Sequence, residues 1–106
     1  MKVAVSFLKS PNSKEETILK IDQSIADYIH VDLMDGKFAG TNNLDWDGIL
    51  PTLKKVRKPL DIHLMTLDLI EHINQLSLLN PEWITFHYEA TSDPLKMIQF
   101  IKEKKC

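Results

Sequence analysis

The stretch Ile29-His30-Val31-Asp32-Leu33-Met34-Asp35-Gly36 decides how this 106-residue chain is read. It alternates as a strand does and ends in a turn signal at Asp35-Gly36. Side chains two apart share one face of a strand. Ile29, Val31 and Leu33 therefore make an aliphatic face that belongs against helices. His30, Asp32 and Met34 point the other way, and an imidazole beside a carboxylate is costly to bury without a partner or a task. Leu60-Asp61-Ile62-His63-Leu64-Met65 repeats the pattern, with His63 and Met65 on one face.

Outward from these two strands, the chain reads as strand then helix, four times over. Lys2 to Leu8 is expected to form a short buried strand. Ser13 with Glu16 has capping-box spacing, in which each side chain serves a free backbone N–H. The helix it opens should bury Ile18, Ile21 and Ile25. Residues 37–44 form a polar loop before a helix from about Asp45 to Val56. Pro51 is tolerated only near a first turn, which points to a later start for that helix. Asp68 opens a third helix with Ile70, Ile73, Leu76 and Leu79 at helical spacing, leaving His72 at the surface. Glu82 to Tyr88 is the fourth strand, with Trp83 in the core. Asp93-Pro94 is a strong helix start, with Asp as cap and Pro at the first helical position. Leu95, Ile98 and Ile101 are its expected apolar stripe.

Alternation of this kind means parallel strands joined by crossover helices. Ser6, His30, Asp32, His63, His87 and Glu89 all fall near the C-terminal ends of their strands, where a parallel barrel builds its chemistry. An open doubly wound sheet is the structural competitor, although no Gly-rich phosphate loop follows the first strand.

Composition narrows the function. Hydrophobic residues make up 43% of the chain, enough for one packed domain over residues 1–106. With 13 basic and 15 acidic residues the formal net charge is -2, which leaves no basic footprint for a nucleic acid. No apolar run reaches membrane-spanning length. Cys106 is the single cysteine, so no internal disulfide can form. The chain enters a strand at once, without a basic-then-apolar leader. A cytoplasmic protein without nucleic-acid or membrane partners is therefore expected.

Two imidazoles and a carboxylate from neighbouring strands suit a divalent transition metal. His30, Asp32 and His63 are the candidate ligands, and zinc, iron, manganese and cobalt are all compatible. Met34 and Met65 fit either core filler or an apolar wall around the ion.

These residues carry a resemblance. Ile29 to Gly36 resembles one signature of the ribulose-phosphate 3-epimerases, and Leu60 to Met65 resembles a second. Ile84-Thr85-Phe86-His87-Tyr88-Glu89-Ala90 is similar to the family's fourth-strand segment, and Val5-Ser6-Phe7-Leu8 to its first strand. The resemblance implies a (β/α)8 TIM barrel of the ribulose-phosphate binding type, of which the chain covers about the first four βα units. It also implies interconversion of D-ribulose 5-phosphate and D-xylulose 5-phosphate, a step of the pentose phosphate pathway. A sister epimerase acting on D-allulose 6-phosphate, or a non-catalytic metal-binding half-barrel, are the alternatives.

By matching position, His30, Asp32 and His63 would bind the metal, with Asp32 also one of two acid/base carboxylates. Ser6 and His63 would touch the sugar phosphate, and Met34 and Met65 would line the site. The family's second carboxylate and phosphate grip lie in later barrel units. The chain is accordingly expected to be an N-terminal half with little activity alone. Its open edges should favour a homo-oligomer. Phe38-Ala39-Gly40-Thr41-Asn42 departs from the family's usual loop, which bears on substrate cover.

Overall fold

A computed structural model of the chain describes residues 1–7, 13–36 and 46–104. The loop at 37–44 lies outside these residues. The element order is β1 (Ala4–Ser6), α1 (Lys14–Asp22), β2 (Tyr28–Met34), α2 (Trp46–Leu53), β3 (Leu60–Met65), α3 (Leu69–Ser77), β4 (Trp83–Phe86), a 3₁₀ turn (Tyr88–Ala90) and α4 (Pro94–Glu103). The four strands form one parallel sheet in the order β1-β2-β3-β4. Each strand lies beside its predecessor, an unreversed order that a parallel barrel also has.

The expected strand faces are present. Ile29, Val31, Leu33, Leu60, Ile62 and Leu64 are all but sealed from solvent. They share one apolar cluster with Ile18 and Ile21 of α1, Ile49 and Leu53 of α2, Ile73 and Leu76 of α3, and Met97 and Ile101 of α4. All four helices thus cover the same side of the sheet. Full burial of such a side chain stabilises by roughly 1.5–3 kcal/mol relative to exposure, so this face is where the fold is held.

Local signals position the helices. Ser13 Oγ accepts a hydrogen bond from Glu16 N at 3.2 Å, and Asp93 Oδ1 accepts one from Lys96 N at 3.1 Å with Pro94 just behind it. Gly36 takes φ 79°, the left-handed turn its sequence promised. Asp35 Oδ2 accepts from Leu67 N at 2.8 Å, which ties the mouth of β2 to that of β3.

Several expectations are corrected. β1 spans only Ala4–Ser6, at the edge of the sheet, and is exposed along its length. Ile25 stands in solvent rather than on the α1 stripe. The helix ends at Asp22, and Ser24 makes the turn by donating to Ile21 O at 2.7 Å and accepting from Ala26 N at 3.1 Å. α2 starts at Trp46 and carries Pro51 inside it. The ladder bond lost there is tolerated beside buried Ile49, Thr52 and Leu53.

In α3 the buried face is Leu69, His72, Ile73 and Leu76, so Ile70 turns outward and His72 inward. Both Leu69 and Ile70 satisfy helical spacing with Ile73, and packing against the sheet chose the former. In α4, Met97 and Ile101 are buried while Leu95 and Ile98 are exposed. Trp83 is 55% exposed, because it sits on the sheet face that the helices do not cover.

Candidate metal centre

Register places the polar side chains in rows across the uncovered face. Ser6 pairs with His30, and His30 with Asp61. Asp32 pairs with His63, and His63 with Thr85. Met34 pairs with Met65 in the row beyond. Parallel strands with period-two alternation make these neighbours without any loop having to position them.

The side chains converge on Asp32. Its Oδ1 lies 3.0 Å from His30 Nε2 and 3.2 Å from His63 Nδ1. Its Oδ2 accepts a hydrogen bond from Ser6 Oγ at 2.9 Å. Asp32 is the best covered of the three, with a side chain 13% exposed against 26% for His30 and 27% for His63. One ligand atom from each of His30, Asp32 and His63 falls within 4.8 Å of the others, a group that could hold a metal ion.

The donor chemistry fits such an ion. Two nitrogens and one carboxylate oxygen are a borderline-hard set of the kind zinc, iron and manganese accept. His30 Nδ1 lies 2.9 Å from Asp61 Oδ2. A carboxylate there fixes the ring and keeps the proton on Nδ1, leaving Nε2 to bind, the usual support for a metal-bound imidazole. Burial pushes the His30 pKa down, but the hydrogen bond to Asp61 and the charge of Asp32 outweigh it and hold the imidazole above its ordinary 6.5.

All the ionisable site residues expected from the sequence come together. Met34 and Met65 are half-buried on the same face. Two participants were not foreseen. Asp61 orients His30, and its signal was its place two residues before His63 on the same strand face. His87, just past the C-terminal end of its strand, is the other: its Nε2 lies 2.9 Å from His63 Nε2, and its Nδ1 lies 3.8 Å from Glu89 Oε2. A cavity of about 590 Å³ between the starts of α3 and α4 includes none of these residues. It lacks convergent imidazoles, so the chemistry favours the open sheet face.

Comparisons with known proteins bear on the family of the chain. The chain is 32% identical over 104 residues to a ribulose-phosphate 3-epimerase of Methanocaldococcus jannaschii, covering 96% of this chain and 43% of the relative. It is 34% identical over 96 residues to the enzyme of the same name from Synechocystis, covering 87% and 40%. A protein of Oryza sativa named as the cytoplasmic isoform of that enzyme is 32% identical over 80 residues, covering 74% and 35%. The chain thus spans less than half the length of these relatives. Among the described residues no helix is long and apolar enough to cross a membrane. The sequence profile of the ribulose-phosphate 3 epimerase family matches residues 2–106, and the chain belongs to that family.

Proposed function

We propose that this chain is the metal-binding part of a ribulose-phosphate 3-epimerase that interconverts D-ribulose 5-phosphate and D-xylulose 5-phosphate. The convergence of His30, Asp32 and His63 within 4.8 Å carries this reading. His30 through Nε2, Asp32 through Oδ1 and His63 through Nδ1 would hold one divalent ion. When bound, the ion supplies Lewis-acid stabilisation of negative charge developing on the sugar oxygens.

The remaining work belongs to side chains. Asp32 takes the proton from the carbon next to the carbonyl, as a carboxylate in contact with substrate can. Ser6 and His63 touch the sugar, and the Ser6 hydroxyl steadies the second oxygen of Asp32. Met34 and Met65 form an apolar wall that keeps water from the planar enediolate. Inversion requires a second acid on the opposite face of that enediolate. Asp61 is the other carboxylate of the cluster and is turned to His30 Nδ1. By the family resemblance, the second acid and the phosphate grip would come from outside the described residues.

The protein works in the cytoplasm on a sugar phosphate, without nucleic-acid or membrane partners. The exposed edges at β1 and β4 favour self-association, since unpaired strand edges template further pairing. Titration of the 106-residue chain with cobalt is expected to saturate at one ion per chain, and Asp32→Asn to weaken it sharply. Conversion of D-ribulose 5-phosphate by the isolated, metal-loaded chain is expected at background level. A wild-type chain that takes up no metal would sink this reading, and full turnover by it would sink the need for a second acid.

A further inference from the structure

We infer that His87 is a positioning residue for His63, setting which nitrogen of that ring is free to bind metal. The inference rests on the metal centre proposed above and extends it to a third imidazole. His63 and His87 face each other through their Nε2 atoms at 2.9 Å, with ring centroids 5.0 Å apart. Two neutral imidazoles can hold that contact only if one nitrogen carries the proton and the other presents a lone pair.

Metal binding selects between the two arrangements. His63 can offer the Nδ1 lone pair only with its proton on Nε2. That N–H then donates to His87 Nε2, so His87 must carry its own proton on Nδ1. The carboxylate of Glu89, 3.8 Å from His87 Nδ1, favours this form by its charge. Glu89, His87 and His63 thus form a chain in which each group fixes the tautomer of the next. His30 receives the same service in one step from Asp61. His87 is the longer route to the same end, and it lies just past β4, one position beyond the last Cα pair of the β3–β4 ladder.

With the wild-type 106-residue chain and zinc as the probe, His87→Ala is expected to lower affinity by about 10–100-fold, the range typical of a lost outer-shell partner. His87→Gln, whose amide oxygen can still accept a hydrogen bond from the His63 Nε2–H, is expected to recover most of that loss. Nitrogen-15 spectra of the zinc-loaded wild-type chain are expected to record His63 protonated at Nε2 and His87 protonated at Nδ1. Undiminished binding by His87→Ala, a loss that Gln does not relieve, or a zinc-loaded His87 protonated at Nε2 would each overturn the inference. Should His87→Ala fail to fold by circular dichroism, the tautomer spectra of the wild type decide alone. A wild-type chain that binds no zinc removes the metal centre and this inference with it, whereas binding with unaltered His87→Ala affinity removes only the inference.

Discussion

The two faces of the sheet are made by the same strands and do opposite work. Toward the helices, β2 and β3 present Ile29, Val31, Leu33, Leu60, Ile62 and Leu64, at most 2% exposed. On the other side the same strands present His30, Asp32, Asp61 and His63, each partly exposed and each held by another polar group. The contrast teaches that strand alternation alone separates stability from chemistry. A substitution on the helix-facing side of either strand should cost the fold, and one a single residue away should cost the site.

The largest expected effect breaks the apolar face. Ile62→Ala should lose about 2–5 kcal/mol in denaturant unfolding, the usual cost of such a cavity. A loss well below 1 kcal/mol would mean the face is not the core. On the opposite side of the same strand, His63→Ala should cut metal affinity by more than the roughly 10–100-fold of an outer-shell loss. Its apo-chain thermal midpoint should move little. If midpoint and affinity fall together, the two faces are not separable.

A pH series sharpens the comparison further. The His30 pKa lies above its ordinary value. In metal-free chain, protonated His30 therefore adds stability that is complete below about pH 6.5 and fades as pH rises through the higher folded value. The thermal midpoint should drop as pH rises above about 6.5, and Asp61→Asn should shrink that drop. An identical pH profile in the variant would break the Asp61–His30 link. The smallest effect is expected at Trp83→Ser. Its stability change should stay within about 0.5 kcal/mol, as at most surface sites, while sedimentation should report weaker self-association.

How much of this was legible in the sequence follows from the range over which each signal acts. The faces of β2 and β3, the caps at Ser13 and Asp93, and the turn at Gly36 are set by neighbours a few residues away, and all were read correctly. The grouping of His30, Asp32 and His63 was legible because two strands repeat one pattern. Where the sequence offered two equivalent faces, as with Leu69 and Ile70 in α3 or Met97 and Ile98 in α4, only packing on the sheet could choose. His72 was assigned to the surface for the same reason. Trp83 looked like a core residue by size, but its strand face is the one without helices. His87 lies past the end of β4, so its meeting with His63 depends on a strand register that period and propensity do not encode.

The unreversed strand order has a kinetic consequence. Every strand finds its partner in the one made just before it; Asp32 and His63, for example, are separated by 31 positions. No strand must wait for a distant segment, so the sheet can grow outward unit by unit, each closure costing less chain entropy than the pairing of more distant segments would. Pulse-labelled amide exchange should find the central β2–β3 ladder protected first and the outer strands last.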